Sequence, residues 1–207
     1  MEQNELKNIV SHFAIRGTVS EIKPLGAGLI NDTLLVTTAE ADAPNYVLQR
    51  VNTNVFPDVD LVMRNIYAVT THIRKKLEAA GETEIDRKVL TFMPAKDDET
   101  KLYAIVDGQY WRMMIFIENA VTKQAVNPES SRAAGKAFGQ FQAMLADIPV
   151  ELGETIKDFH NMEFRLQQLR EAVAENKAGR LAEVQWLVDE LEARAEEMCK
   201  GERLHRE

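Results

Sequence analysis

Two glycines one residue apart, in Leu25-Gly26-Ala27-Gly28-Leu29-Ile30-Asn31-Asp32-Thr33, are the residues of this 207-residue chain whose type and spacing point first to chemistry. They fall between two runs of strand character, 17–24 and 34–38. Glycine accepts positive φ and carries no Cβ, so backbone N–H groups at such a turn can lie against a polyphosphate and face its oxygens. Gly26, Gly28 and Asn31 are the residues that would approach the phosphates. The same pattern also serves an ordinary hairpin, so the elements around it decide between the two.

Those elements read in a definite order. Leu6, Ile9, Val10 and Phe13 share one face of a short amphipathic helix. Strands are expected over 17–24, 34–38 and 46–51, the last two separated by a polar, proline-containing loop. Asp58 is placed as the N-cap of a long helix whose apolar stripe is Val62, Ile66, Val69, Ile73 and Leu77, with Gly81 as its stop. A further strand is expected over 88–94. Residues 102–106 and 109–117 then pair as a hairpin through Asp107-Gly108. The run from Trp111 to Ile117 is almost continuously apolar, as in a strand covered on both faces. Trp111 and Arg112 could line a cleft together, or the Trp could belong to the core.

From Glu118 onward only helical patterns remain. Asn127 and Pro128 start one, with Phe138 and Phe141 on one side. Another covers 161–175. A last stripe runs from Leu181 through Leu191 to Met198. The spacing therefore predicts an α+β fold: a first part over 1–118, an antiparallel sheet plus one long helix, and a helical part over 119–207.

Composition narrows the function classes. The chain is 45% hydrophobic and 28% charged, with a net charge of −8. That balance, with no dense basic run, argues against nucleic acid as a partner. No apolar run approaches a membrane span. The single cysteine, Cys199, allows no internal disulfide, and the polar, acidic N-terminus is not a secretory signal. A cytoplasmic protein is the expectation. Its histidines, His12, His72, His160 and His205, lie far apart and have no metal-ligand spacing with Cys199. No Gly-x-Ser-x-Gly elbow is present.

The order strand, glycine turn, strand, strand, long helix, strands, short link is that of a protein-kinase-like small lobe. The link would be Phe116-Ile117-Glu118-Asn119, with adenine against its backbone. At these residues the chain resembles the aminoglycoside phosphotransferase/choline kinase superfamily, and within it is similar to the N-acetylhexosamine 1-kinase branch. The glycine segment 25–33, Tyr46 to Asn52, Asn54-Val55-Phe56, Trp111-Arg112, Phe116 to Thr122, Ala134 to Gly139 and Asp158-Phe159-His160-Asn161 carry the resemblance. It implies transfer of the γ-phosphate of ATP, with Mg²⁺, to the anomeric hydroxyl of an N-acetylated hexosamine. ATP and an amino sugar are thus the expected partners, and Ile115, Phe116 and Ile117 the residues that meet adenine.

The chain departs from the family pattern in two ways. The usual small-lobe lysine falls at Gln49 or Arg50, which leaves Arg50 as the cation expected to neutralise phosphate. The His-x-Asp base loop and the later metal-binding Asp are absent from the 207 residues. No catalytic residue and no metal ligand is therefore expected here; the Mg²⁺ ligands belong to a missing C-terminal part, and the chain by itself is expected to be inactive. Asp158-Phe159-His160 precedes helices rather than following a strand, and so is not a metal triplet. His160 and Asn161 either shape the sugar side of the cleft or simply lead into a helix that Asn161 caps. Phe138, Phe141, Leu187 and Leu191 are expected to be left uncovered and to favour self-association. Two other functions remain open: a non-catalytic nucleotide-binding or interaction module, and a related kinase for another small hydroxyl acceptor.

Overall fold

The computed structural model describes residues 1–26, 28–121 and 127–206. They form two compact units, Met1–Thr155 and Ile156–Glu207. The change from strands to helices near residue 118 is thus not the border between compact bodies, because the first long helix after it packs with the sheet unit.

Unit one opens with α1 (Gln3–Ser11), whose buried residues are Leu6, Ile9 and Val10. A five-stranded antiparallel sheet follows: β1 (Val19–Pro24), β2 (Asp32–Thr38), β3 (Tyr46–Arg50), β4 (Ala104–Val106) and β5 (Gln109–Ile115), in the spatial order β1-β2-β3-β5-β4. Register fixes which side chains share a face. Leu34, Leu48 and Met113 stand opposite one another, as do Val36, Tyr46 and Ile115. These rows pack with Leu6, Ile9, Val10, Phe13 and Trp111 into one core beneath α1, where Val36, Leu48, Met113 and Phe13 are fully buried. Trp111 is therefore a core residue.

The opposite face carries Thr33, Gln49 and Arg112 in one row and Leu35, Val47 and Met114 in the next. Its β5 side meets α2 (Val59–Ala79). The Asp58 side chain accepts from the Leu61 amide at 2.8 Å, and Gly81 follows the helix with φ +70°. Val62 and Met63 pack with Val51, Val59 and Tyr103. The Tyr103 hydroxyl donates to Asp60 at 2.5 Å, and burial first, then that carboxylate, pushes its pKa up.

The strand expected over 88–94 does not form. A single 3₁₀ turn, Ile85–Arg87, comes first, and among the described residues the backbone of the segment is then joined to β5 by the Phe92–Met114 bridge and two flanking bonds. The Met93 amide donates to Met113 O and the Ile115 amide to Thr91 O. Pro94 has no N–H to carry a ladder further, and β4 already pairs with the first half of β5. The Asp107-Gly108 hairpin does form, with φ +50° and +72° at its two central residues.

α3 (Pro128–Leu145) starts on Asn127, whose side chain accepts from the Ser130 amide at 2.8 Å. It lies against α2. His72 Nε2 is 3.0 Å from Met144 O, and Lys76 Nζ donates to the same oxygen at 2.9 Å and pairs with Asp147. Met144 and Leu145 cover Ile73, Leu77 and Val89.

Unit two consists of α4 (Met162–Glu175), α5 (Leu181–Ala193), α6 (Ala195–Met198) and α7 (Lys200–Arg206). The continuous stripe expected from Leu181 to Met198 is interrupted at Arg194, outside the helical region with φ −100° and ψ 1°. Arg170 and Glu192 join α4 to α5, and Cys199 is buried. Phe138, Phe141, Leu187 and Leu191 are exposed. No helix among the described residues is long and apolar enough to cross a membrane.

Candidate functional site

Strand pleating separates residues that stand next to each other in sequence. Arg50 lies in a row with Asp32 and Trp111, on the α1 face. Its Nε donates to Asp32 Oδ2 at 2.8 Å and its Nη2 to the same oxygen. The guanidinium is thus paired with a carboxylate and lies on the face opposite Gln49. One residue of alternation places Arg50, the cation expected for phosphate, on the face opposite Gln49 and Arg112. It shares a cavity of about 480 Å³ with Gly26, Gly28, Asn31 and Asp32, beside the N-terminus of α1.

The glycine turn itself is closed by the Leu25 amide donating to Thr33 O at 2.9 Å. Gly26 has φ +69°, a conformation that favours glycine. At Gly28 a Cβ would lie 2.9 Å from Asn31 O, so no larger residue fits without moving the backbone. Asn31 Oδ1 accepts from the Asn52 amide at 3.0 Å and ties the turn to the end of β3. Ala27 lies outside the described residues.

On the α2 face the polar row is joined side chain to side chain. Arg112 Nε donates to Gln49 Oε1 at 3.0 Å, and Gln49 Nε2 donates to Thr33 Oγ1 at 3.0 Å. Arg112 also lies 5.8 Å from the centre of the Phe92 ring. Burial pulls its pKa below the ordinary arginine value. Among the described residues no carboxylate pairs with it: its remaining polar contact is the Met63 sulfur, 4.0 Å from Nη1. Arg112 lines a cavity of about 640 Å³, otherwise walled mainly by apolar side chains of α2, β5 and the 88–92 segment.

The apolar row, Leu35, Val47 and Met114, comes next along the same face, in the direction of the link. The link is held from two sides. Asn45 Nδ2 donates to Glu118 Oε1 at 2.8 Å, and Arg87 Nη1 donates to Glu118 O at 2.8 Å. The Phe116 amide is used by Asn45 O. Ile115 departs from expectation: its amide is taken by Thr91 and its side chain packs into the α1-side core, because it alternates with Met114. Among the described residues the Ile117 amide has no hydrogen-bond partner. Residues 122–126, which include the end of the Glu118 to Thr122 stretch, lie outside the described residues.

In unit two, Asn161 caps α4 by accepting from the Phe164 amide at 3.0 Å, and its Nδ2 donates to Asp158 Oδ1 at 2.9 Å. His160 meets the edge of Phe159, with ring centres 4.7 Å apart. The local geometry is that of a helix start. Among the described residues no group of three or more His, Cys, Asp or Glu side chains is placed to hold a metal ion.

Gln49, Thr33, Arg112, Asn45 and Arg87 are the residues that sequence reasoning undervalued. The signal that separates Gln49 from Arg50 was present: the buried positions Tyr46 and Leu48 set a period of two, which puts Arg50 with them and Gln49 opposite.

A family model described as phosphotransferase enzyme family matches residues 21–206. The structure of a spectinomycin phosphotransferase in complex with ADP and spectinomycin superposes with a TM-score of 0.53 at 10% sequence identity. The match covers 95% of this chain and 59% of that one. At this identity the likeness is one of fold.

Proposed function

The chain belongs to the phosphotransferase enzyme family, and on that premise we propose that it forms the nucleotide-binding side of a cytoplasmic ATP-dependent kinase that phosphorylates the anomeric hydroxyl of an N-acetylhexosamine. The observation that carries the nucleotide reading is the sequence of rows on the α2 face of the sheet. An apolar row, Leu35-Val47-Met114, lies on the side of the link, and a polar row, Thr33-Gln49-Arg112, lies on the side of the glycine turn. A base stacked on the first row, hydrogen-bonded to the Ile117 backbone, directs its phosphates toward the second. ADP in the structural neighbour supports the same ligand class. The N-acetylhexosamine acceptor rests on the resemblance of residues 118–122 and 158–161, and the Mg²⁺ of the reaction would be held by residues outside this site.

The test has two parts. Calorimetry of residues 1–207 with ADP should show saturable binding, and failure to bind would remove the nucleotide reading. Sequencing past codon 207 reads whether a His-x-Asp loop follows. The protein including it should release ADP with N-acetylglucosamine or N-acetylgalactosamine, and not with spectinomycin or choline. Turnover with spectinomycin alone would assign a different acceptor. Turnover by residues 1–207 unaided would show that the catalytic base lies within them.

A further inference from the structure

Two cations near the nucleotide face or its edge are already matched by carboxylates, and the Arg87 guanidinium is used by the Glu118 carbonyl of the link. Arg50 is paired with Asp32, and Lys88 with Glu82. Arg112 differs. It is half-buried, faces the cavity on the α2 side, and among the described residues has no carboxylate partner. A desolvated guanidinium without a counter-anion is costly, and an anion that completes its donor fork recovers that cost.

The remaining donors are aimed by their neighbours. Gln49 takes the Nε hydrogen, which fixes the plane of the fork, and Gln49 is in turn held by Thr33, two residues after Asn31 of the glycine turn. The Phe92 ring lies against the other side. These contacts leave the Nη2 end of the guanidinium without a protein acceptor among the described residues.

We propose that Arg112 is the cation that binds the polyphosphate of the nucleotide, and that Gln49, one of the two positions at which the family's small-lobe lysine falls, is a positioning residue that orients Arg112 rather than a phosphate ligand. This rests on the nucleotide reading above. It relocates the charge from β3 to β5 and replaces an ammonium point charge by a planar fork, which suits two phosphate oxygens at once.

The test compares ADP with adenosine by calorimetry on residues 1–207, at fixed ionic strength. The wild-type chain should prefer ADP. Arg112→Met should lose about tenfold to a hundredfold of ADP affinity, the range for a hydrogen-bonded charge, and keep adenosine affinity. Gln49→Glu is the second variant and carries no risk of leaving a hole. It places a carboxylate on the guanidinium across the 3.0 Å contact and should abolish the ADP preference with Arg112 still present. Arg50→Met should retain the preference. If Arg112→Met and Gln49→Glu both keep the wild-type ratio, or if Arg50→Met removes it, the assignment of Arg112 is overturned while the nucleotide reading stands. If neither ADP nor adenosine binds the wild-type chain, both fall together.

Discussion

Asn45 and Glu118, 73 residues apart in the chain, are joined by a 2.8 Å hydrogen bond from Asn45 Nδ2 to Glu118 Oε1. The same asparagine accepts from the Thr38 amide through Oδ1 at 3.0 Å. One side chain thus ties the end of β2 to the link. Asn45→Ala should cost about 1–2 kcal/mol of stability, since it frees a half-buried backbone amide as well as the link contact. Urea denaturation measures the loss. Hydrogen exchange at 116–118 should quicken in the variant; unchanged exchange there would mean that Arg87 and the Asn45 backbone carbonyl fix the link without the Asn45 side chain.

The two glycines of the turn should respond differently to alanine. Gly26 has open space around a Cβ but φ +69°, so Gly26→Ala carries backbone strain of about 1–2 kcal/mol. At Gly28 the obstacle is a backbone oxygen 2.9 Å away, which can move only if the turn changes shape. Gly28→Ala should therefore reduce ADP affinity more than Gly26→Ala does. Thermal melting with and without ADP separates strain from binding.

Asp86 supplies a pH dependence. It accepts from Thr91 Oγ1 at 2.6 Å and from Arg74 Nη2 at 2.7 Å, and these bonds, Thr91 first, hold its pKa below the ordinary 3.8. A depressed folded-state pKa adds stability above the unfolded value that is lost as pH falls through the folded one. The stability advantage of wild type over Asp86→Asn should be constant from pH 7 to about 5 and should shrink below about pH 4. Denaturant midpoints at several pH values read this out, and an advantage that grows on acidification would contradict the contact.

Asn161→Ala removes the cap of α4 and should lower stability by about 1 kcal/mol. ADP affinity of residues 1–207 should not change, because Asn161 belongs to the second compact unit. A loss of ADP affinity, measured by calorimetry, would tie residues 158–161 to the nucleotide.

Much of the fold was legible because it is local. The apolar stripe of α2, its Asp58 cap, the Asn127 and Asn161 helix starts and the Asp107-Gly108 hairpin all follow from residues within a few positions of one another. The glycine turn was legible for the same reason. The extended segment 88–94 was misread as a strand because its apolar run has strand character, whereas only β5, already paired over half its length, could have confirmed it.

What the amino-acid order determined by itself was the succession of elements and the alternation of residues along each strand. What only the tertiary structure decided was which of those alternating faces meets α1 and which meets α2, and which residues of distant strands share a row. Cross-strand register joins Thr33, Gln49 and Arg112 across 79 residues of chain, and no local pattern specifies it. The physical reason is that a side chain's face is set by its own strand's pleat, while its partners and solvent exposure are set by the strands and helices packed around it. Arg50 and Arg112 are both arginines on apolar strands; the pleat of each strand sets the face it occupies, and the packing on that face sets its environment.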